Sequence, residues 1–451
     1  MRDLRASIET IRRDLGPDVL TIPADPAQHA IDGIEPLAVA QPDTPDRLAR
    51  ILRLAAKHRV PVVPRGAGYF SHLGGCLSEA GIVISLARLH GVVAYEPADL
   101  TITVQAGMTL RALQRHLAAR RQCLPLDPPC PDDATIGGIV AANATGPSRF
   151  RYGTCTDMLL GLRAVAPTGD TLNAGGRVVK NVAGYDLTSL LVGSLGTLAV
   201  LTELTFKVWP RPAASAMVLG RCGSLEQAHE AAERLVSSQL QPTFVELLNE
   251  HALVGTGDPA PPAAHRAAIV TGFSGSASDI AYQLPQAELL LQDAGLETQG
   301  LVGDEEPAAR AWLRDIIRRI ATGPTGLVTL KLSVLSTDIP SGIAKAAQLA
   351  SDFGLRCAAQ AHAGNGIIYI VVEAPSPTDE PPERVSGLCE ALCEEAERLG
   401  GWAVVERAPA TMKQLAGAWG RGGRQHGLMT SIKQALDPTG ILNPGRLTNA
   451  H

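Results

Sequence analysis

Apolar and polar positions along the first half of the chain alternate between helical and strand-like spacing. Residues 44–59, TPDRLARILRLAAKHR, place apolar side chains at helical spacing behind a threonine N-cap and a proline at the first helical position. The apolar run VPVVP follows and is typical of a short buried strand. This half is therefore predicted to be an α/β unit, with further strands at GIVISL, TITVQAG, LLGLRAVAP and LAVLTELTFKVWP and a helix at LRALQRHLAARR.

The pattern changes after Pro210-Arg211-Pro212, which marks a boundary to a second, α+β unit. Segments GTGDPAPPAAHR and EAPSPTDEPPER have the composition of surface loops. The last helical pattern is interrupted near Gly420 to Gly423, and the tail GILNPGRL follows it. Within the second unit the spacing predicts helices at SLEQAHEAAERLVSS and AELLLQDAG and strands at MVLGR, PTFVELL, AAIVTGF and LVTLKLSVL.

Composition and charge narrow the function classes. The chain has 451 residues, a formal charge of -5 and no block of lysine or arginine, which argues against a nucleic-acid partner or a polybasic membrane anchor. Its first residues lack a signal sequence, and its most apolar stretch, LTSLLVGSLGTLAVLTELTF, is too interrupted to predict a membrane span. The eight cysteines form no C-x-x-C pair, so a zinc ribbon or iron–sulfur ligand set is not expected. Cys389 and Cys393 fit free thiols on one helix face in a reducing cytoplasm.

Three stretches are rich in glycine and other small residues. They cover residues 64–75, 127–153 and 175–203. Such backbone can approach a flat ligand closely or direct successive N–H groups at an anion, although a surface turn or tight helix packing also explains each stretch taken singly. The first stretch is neither a Walker A loop nor a Rossmann fingerprint, since no G-K-[ST] follows and the next element is a strand. Together the three indicate one extended ligand with phosphates and a planar ring.

The order of these stretches resembles the FAD-linked oxidases of the vanillyl-alcohol oxidase type, with a PCMH-type FAD-binding domain. The resemblance is carried by PRGAG, ATIGGIVAANATG with Tyr152-Gly153, KNVAGYDL with GSLGT, and LDPTGILNPGR. It implies an α+β protein: a FAD-binding domain of two α/β subdomains, a ferredoxin-like α+β cap and a C-terminal segment that returns to the flavin. The implied domains are a helical lead-in (1–35), the FAD-binding domain (36–212), the cap (213–408) and the FAD-linked oxidase tail (409–451).

The resemblance also implies which residues hold FAD. Tyr69 stands where relatives with covalently attached flavin carry histidine, and His72 lies three positions on, so we expect noncovalent FAD. The implied cofactor-binding residues are Arg65, Gly66, Ala67, Gly68, Tyr69, Ser71, Gly74, Gly75, Pro129, Ala134, Thr135, Gly137, Gly138, Ala141, Asn143, Tyr152, Gly153, Gly196, Thr197, Val200 and Asn443.

The stretch AQAHAGNGIIYIVVEAP, residues 359–375, looks like half of a metal site. Relatives that oxidise D-2-hydroxy acids carry His-x-Gly-Asp-Gly-Asn-x-His here and a later Glu-His-Gly element. This chain has His362, but Tyr369 replaces the second histidine, and Glu406 is followed by Arg407 in place of the third. A catalytic zinc normally keeps three protein ligands, and an arginine cannot lose its proton, so we expect no bound metal. Arg407 is either a bidentate carboxylate anchor or an ordinary surface or ion-paired arginine.

Two functional hypotheses follow. In the first, the chain is a FAD-dependent 2-hydroxy acid dehydrogenase in which His362 is the base, Arg407 the carboxylate anchor and Tyr369 a hydrogen-bond donor. In the second, it is a non-catalytic FAD-binding subunit, because GGRVVKNVAGYDL, AHAGNG, Trp419-Gly420 and ILNPGR resemble the accessory subunit of bacterial glycolate oxidase. The expected substrate is of the glycolate or lactate class. The expected partners are flavoprotein and iron–sulfur subunits, with a cytoplasmic location or one at the inner membrane through those partners.

Overall fold

The computed structural model describes residues 4–129, 133–176, 186–254, 265–376, 381–420 and 423–447. The motif KNVAGYDL lies mostly outside these residues, as do most of GTGDPAPPAAHR and part of EAPSPTDEPPER. No helix in the described ranges has the length and apolar character needed to cross a bilayer.

Strands and helices alternate in both halves of the chain. The strands are β1 (Leu20–Thr21), β2 (Ala38–Ala40), β3 (Val62–Arg65), β4 (Ile82–Ser85), β5 (Val92–Glu96), β6 (Thr101–Gln105), β7 (Gln122–Cys123), β8 (Leu159–Val165), β9 (Thr171–Gly175), β10 (Val200–Lys207), β11 (Trp209–Pro210), β12 (Ala214–Cys222), β13 (Phe244–Asn249), β14 (Ala267–Gly275), β15 (Glu297–Leu301), β16 (Gly326–Ser333), β17 (Arg356–His362), β18 (Ile367–Glu373) and β19 (Trp402–Arg407). The helices are α1 (Leu4–Leu15), α2 (Pro45–His58), α3 (Leu110–Ala118), α4 (Ile136–Ala142), α5 (Arg149–Tyr152), α6 (Cys155–Met158), α7 (Leu187–Leu191), α8 (Leu225–Val236), α9 (Glu250–Val254), α10 (Ala277–Asp293), α11 (Glu305–Ala321), α12 (Ile339–Asp352), α13 (Pro382–Arg398), α14 (Ala410–Ala416) and α15 (Gly423–Leu436).

The first subdomain is a small sheet in the order β1-β2-β4-β3, in which β2, β4 and β3 run parallel. Helix α2 begins where the sequence predicts it. The Thr44 side chain accepts a hydrogen bond from the Arg47 amide, and Pro45 occupies the first helical position. Leu48, Ile51 and Leu52 of α2 are fully buried against the sheet. The α/β pattern of residues 44–65 is thus confirmed.

The second subdomain is an antiparallel sheet in the order β5-β6-β10-β8-β9. Helices α3 and α4 contribute to the buried cluster on this sheet, with Leu113, Ile136 and Ile139 fully buried. The bonds Ile136 N to Met108 O (2.8 Å) and Gly137 N to Ala106 O (2.7 Å) fix the start of α4 against the end of β6. This subdomain therefore presents the first turn of α4 beside the loop that follows β3.

The cap is an eight-stranded antiparallel sheet in the order β15-β12-β14-β13-β17-β18-β16-β19. Helices α8, α10, α12 and α13 cover one face, where Leu247, Leu330 and Ile370 contribute to the largest buried cluster. Helix α11 packs on the other face with Phe244 and Val371. Because side chains alternate along a strand, the residues beside Leu247 and Ile370 face α11 and the FAD-binding domain.

The C-terminal segment returns to the first subdomain. After α15 the tail runs beside β3, where Val62 N donates to Ile441 O (2.8 Å) and Asn443 N donates to Val62 O (2.9 Å). Further on, the amides of Gly75 and Ser78 donate to Arg446 O and Pro444 O. The mixed α+β architecture with a returning tail agrees with the expectation from sequence.

Candidate functional site

Three adjoining cavities extend from the first subdomain to the cap. The distal pocket is lined by Gly66, Ala67, Ala87, His90, Gly107, Met108, Thr109, Ala112 and Thr135. The loop cavity shares Gly66, Ala67 and Thr135 with it and continues along Tyr69, Phe70, Leu73, Gly137, Gly138, Ala141, Ala142, Gly196, Val200 and Asn443. The polar cavity shares Tyr69, Phe70, Leu73 and Ala142 with the loop cavity and reaches His72, Arg314, Arg318, Thr329, Lys331, Gln360, His362, Tyr369, Glu406 and Arg407. Their shared walls suit one elongated ligand.

The loop after β3 exposes free backbone donors to the loop cavity. Within the described residues the N–H groups of Ala67, Gly68 and Phe70 have no hydrogen-bond partner. Gly68 has a φ of +84°, a conformation that side-chain-bearing residues rarely adopt. Such a turn of unpaired N–H groups is a ready site for phosphate oxygens.

Small residues let the cavity wall approach this loop. A Cβ on Gly66 would lie 2.0 Å from Thr135 Oγ1, and one on Gly137 would lie 2.7 Å from Ala106 Cβ. Thr135 caps α4 by accepting a hydrogen bond from Gly138 N at 3.3 Å. Asn443 adopts a left-handed φ of 43°, and its Nδ2 donates to Leu195 O at 2.7 Å. Its buried Oδ1 has no partner, so it is available to a ligand.

Two buried cations, Arg446 and Lys413, hydrogen-bond to the backbone of the loop that follows β3. Arg446 forms an ion pair with Asp32 (2.9 Å) and donates to Gly75 O (3.0 Å). Lys413 of α14 donates to His72 O. Burial, and secondly the charge of Arg446, lower the pKa of Lys413 to about 8. The tail and α14 thus hold residues 72–75 in place.

The structure brings together most of the residues predicted from sequence. Gly74 has a φ of +77°, and a Cβ there would lie 2.7 Å from Arg446 O, so this glycine serves the loop-to-tail contact. Tyr152 packs edge-on to Trp209 at 5.9 Å. Arg65, Gly66, Ala67, Gly68, Tyr69, Ser71, Thr135, Gly137, Gly138, Ala141, Gly196, Val200 and Asn443 line the loop cavity; Tyr69, Pro129, Asn143, His362, Tyr369 and Arg407 line the polar cavity; Gly74, Gly75, Ala134, Tyr152, Gly153 and Thr197 line neither.

A row of polar side chains crosses the cap sheet at the polar cavity. His362 and Glu246 are direct cross-strand neighbours, and His362 Nδ1 lies 2.6 Å from Glu246 Oε1. Gln360, two residues before His362, donates to Glu246 Oε2 at 2.7 Å. The Tyr369 ring meets the imidazole edge-on at 5.5 Å.

The row continues to the far strands with a partly buried cation, Lys331. Lys331 pairs with Tyr369 across the ladder; its Nζ lies 5.7 Å from the Tyr369 ring centre and 3.9 Å from Glu406 Oε1. Electrostatic coupling to the titrating Tyr369 hydroxyl, and after it to Glu406, raises the pKa of Lys331 above its ordinary value. Because that ordinary value already lies far above pH 7, the Lys331 ammonium is charged at neutral pH. Burial raises the pKa of Tyr369 and of Glu406. The polar cavity therefore holds a fixed positive charge next to a neutral phenol.

Four buried polar atoms on residues that line this cavity have no hydrogen-bond partner within the described part of the chain. They are His362 Nε2, Thr329 Oγ1, Asn143 Oδ1 and Arg318 Nε. Of these residues, His362 is 2% exposed and Thr329 is 5% exposed. Because burying a polar atom without a partner costs free energy, such atoms point to a ligand. On the loop side, burial, Lys413 and Arg407 lower the pKa of His72 to about 4, so its imidazole is neutral at pH 7.

These contacts bear on whether His362 and Glu406 could bind a metal ion. Among the residues that the structure describes, no group of three or more histidine, cysteine, aspartate or glutamate side chains is placed to hold a metal ion. The carboxylate next to His362 is Glu246, which the sequence analysis missed, and Glu406 has Lys331 as its neighbour. The sequence feature that could have indicated Glu246 is that it is a single glutamate within the otherwise apolar strand FVELL. Lys331 of β16, Gln360 of β17, and Arg314 and Arg318 of α11 were also missed, since nothing in the sequence pairs these strands or places α11 beside them.

Solved structures show which class of fold this is. p-Cresol methylhydroxylase with bound substrate matches with a TM-score of 0.79 at 17% identity, over 98% of this chain and 96% of that one. 4-Ethylphenol oxidase from Gulosibacter chungangensis matches with a TM-score of 0.78 at 16% identity, over 99% and 97%. The fold is therefore that of the PCMH-type flavoenzymes.

The sequence comparisons give the family. Residues 36–175 match the FAD binding domain family, and residues 211–447 match the C-terminal domain of FAD linked oxidases. The chain belongs to the FAD-linked oxidases, a family of FAD-binding oxidoreductases. Glycolate oxidase subunit GlcD of Bacillus subtilis (strain 168) is 28% identical over 419 residues, 91% of this chain and 89% of that protein. D-2-hydroxyglutarate dehydrogenase of Xanthomonas citri pv. viticola is 30% identical over 436 residues, 92% and 90% respectively. D-lactate dehydrogenase [cytochrome], mitochondrial, of Arabidopsis thaliana is 28% identical over 92% of this chain and 74% of that protein.

Proposed function

We propose that this chain oxidises a small 2-hydroxy acid to the 2-oxo acid with noncovalent FAD, as one subunit of a glycolate oxidase-like complex. The observation that carries the proposal is the buried imidazole of His362, whose Nε2 has no protein partner in a cavity that also holds Lys331 and adjoins the loop cavity. Oxidation of a 2-hydroxy acid requires a base for the hydroxyl proton, which the imidazole would be, and a cation for the carboxylate, which Lys331 would be.

The cofactor fits the three cavities by their chemistry. The free N–H groups of Ala67, Gly68 and Phe70 would hold the pyrophosphate, and the neutral distal pocket would hold the adenosine end. The opposite end of the cofactor then reaches the polar cavity, past Ala142 and Asn443. When bound there, FAD supplies the acceptor for the substrate hydride.

The side chains of the polar cavity would bind the substrate and take up its hydroxyl proton. Lys331 and Arg407 would bind the substrate carboxylate, since both line the cavity and both are cationic. His362 Nε2 would take the hydroxyl proton, and the neutral Tyr369 hydroxyl would donate a hydrogen bond to the substrate. Loss of one hydride and one proton from the substrate gives the 2-oxo acid, and the two electrons pass on to a partner. Glycolate, D-lactate and D-2-hydroxyglutarate, which appear in the names of the relatives, define the substrate class to test.

Noncovalent binding is supported at Tyr69, the position of the covalent histidine in relatives. Its hydroxyl donates to Asp133 Oδ2 at 3.1 Å. A cytoplasmic location is supported by the cysteines: the seven within the described residues are not joined in disulfides, as expected in a reducing compartment.

A second candidate function is that of a FAD-binding accessory subunit without its own turnover. It is favoured by the relatives that are named as subunits of glycolate oxidase and by the exposed Arg407 at the position of a histidine in relatives. The partners would be a second flavoprotein and an iron–sulfur subunit.

Anaerobic addition of glycolate, D-lactate or D-2-hydroxyglutarate to the isolated yellow protein separates the two. Loss of the flavin absorbance within seconds is the expected result for turnover by this chain. Bleaching that requires the partner subunits supports the accessory role. No bleaching by any of these acids with the complete complex would overturn the proposal.

A further inference from the structure

Glu246 is a buried carboxylate that has no role in the proposed reaction. It is 1% exposed and lies on β13, directly opposite His362 in the antiparallel ladder. The backbone on this side is fixed as well, because Ala363 N donates to Val245 O at 2.9 Å. An ionised carboxylate at such depth is costly unless its oxygens accept hydrogen bonds.

Both oxygens of Glu246 have a partner. Oε1 lies 2.6 Å from His362 Nδ1, and Oε2 accepts from Gln360 Nε2 at 2.7 Å. The same Gln360 nitrogen lies 3.4 Å from Leu313 O, a second acceptor. The orientation of this amide follows from the network, since rotating it would place its carbonyl oxygen against two acceptors. Gln360 therefore donates to Glu246 Oε2.

An ionised Glu246 can only accept a hydrogen bond, so the shared proton resides on His362 Nδ1. Free imidazole in water favours the opposite tautomer, with the proton on Nε2. In that tautomer His362 would present an N–H to the polar cavity and could not take a proton from the substrate. Pairing of Nδ1 with the Glu246 carboxylate favours the tautomer whose Nε2 carries a lone pair, and Nε2 is the atom that has no partner among the described residues.

We propose that Glu246, oriented by Gln360, is a positioning residue that holds His362 in the Nδ1-protonated tautomer. The inference rests on the proposed function for its catalytic consequence, but the tautomer is a property of the protein that can be measured without turnover.

Substituting Glu246 by glutamine tests this at nearly constant shape. The amide has only one acceptor oxygen, so it cannot accept from both His362 Nδ1 and Gln360 Nε2. If its oxygen meets Gln360, its NH₂ group meets Nδ1, and the proton of the imidazole must move to Nε2. We expect Glu246→Gln to invert the tautomer and lower kcat by about 10²-fold or more, with little change in KM.

The matched control is Glu306→Gln. Glu306 is another buried carboxylate of the cap, 3% exposed, and it pairs with Arg310 and Ser215 without touching His362. Replacing Glu306 should leave the His362 tautomer unchanged and kcat within about twofold of the parent value. Glu246→Asp retains the carboxylate and should recover part of the activity lost in Glu246→Gln.

The measurement is the nitrogen chemical shift of His362 in protein labelled with ¹⁵N-histidine and bound to FAD, assigned with His362→Gln. The expected spectrum has a protonated Nδ1 and an unprotonated Nε2 in the parent, and the reverse in Glu246→Gln.

A parent His362 protonated on Nε2, or an unchanged tautomer in the variant, would overturn the inference. An inverted tautomer with unchanged kcat would overturn the positioning role. If no acid is oxidised, the proposed function fails while the spectrum still decides the tautomer. Should Glu246→Gln misfold by circular dichroism, Glu246→Asp and Gln360→Glu are measured in the same way.

Discussion

Gly66 is the position where one added methyl group should abolish tight FAD binding. It follows β3 and lines both the loop cavity and the distal pocket. In Gly66→Ala the new Cβ would lie 2.0 Å from Thr135 Oγ1 and 3.0 Å from Thr135 Cβ. Thr135 cannot simply turn away, because its hydroxyl caps α4 through Gly138 N. The loop must therefore move away from the helix.

The expected loss follows from the donors that this loop carries. Ala67, Gly68 and Phe70 offer free N–H groups, and a hydrogen bond to a charged group contributes about 1.5–3 kcal/mol. Displacing the loop removes about two such bonds to the pyrophosphate, or roughly 3–6 kcal/mol in total. FAD should then bind roughly 10²- to 10⁴-fold more weakly.

The assay is a fluorescence titration of the flavin-free protein with FAD, with a suppressor as the internal test. Thr135→Ala removes the clashing Oγ1; by itself it loses a helix cap worth about 1 kcal/mol. Combined with Gly66→Ala, it should bind FAD at least about tenfold more tightly than Gly66→Ala alone, because the two side chains collide. Gly427→Ala, where a Cβ meets nothing within 4 Å, is the control for an added methyl group. A dissociation constant for Gly66→Ala within threefold of the parent would refute the assignment of this loop, and a double variant no tighter than Gly66→Ala would refute the steric reasoning.

Four further outcomes are expected. Denaturation in acid or guanidinium should release all of the flavin into the filtrate; colour retained on the chain would contradict noncovalent binding at Tyr69. Arg407→Lys should weaken substrate-analogue binding by about 1–2 kcal/mol in a spectral titration, and unchanged affinity would leave Arg407 a surface residue. Because the folded-state pKa of His72 is about 4 and its ordinary value is 6.5, the unfolded chain takes up its proton first as the pH falls from 6.5 to 4, and stability falls with it. Between pH 7 and pH 5 this costs about 2 kcal/mol, so His72→Gln should show a thermal-midpoint drop roughly 2–5 °C smaller than the parent, and equal drops would disprove the shift. Elemental analysis should find far less than one zinc or manganese per chain.

Local signals were sufficient for much of the fold. The threonine cap, the proline and the helical spacing of residues 44–59 predicted α2, and the apolar runs predicted β3, β4 and β10 within three residues of their bounds. The interruption near Gly420 separates α14 from α15 as expected. These elements are determined by residues close in sequence, so a single chain suffices to predict them.

Helix α4 shows where local signals were insufficient. Its sequence IGGIVAA has two glycines and two β-branched residues, so intrinsic propensity disfavours a helix. It forms because Thr135 caps it and because its amides at Ile136 and Gly137 bond to the end of β6. Those partners are 28 and 31 positions earlier in the chain, as Met108 and Ala106, and no local pattern connects them.

The same reasoning explains why the sequence did not reveal which side chains surround His362. Spacing along the chain links His362 to Tyr369, and the family pattern links it to Glu406. The sheet, however, orders the strands as β13-β17-β18-β16-β19, which places Glu246 beside His362 and Lys331 between Tyr369 and Glu406. Among the described residues, the hydrogen-bond partner of His362 Nδ1 is the carboxylate of Glu246, 116 positions earlier in the chain. A histidine that lost its metal-binding companions would be a relic if Nδ1 were free. Held by a buried carboxylate as we propose, it would keep an acceptor nitrogen for the ligand, which would explain why a carboxylate is buried at this position.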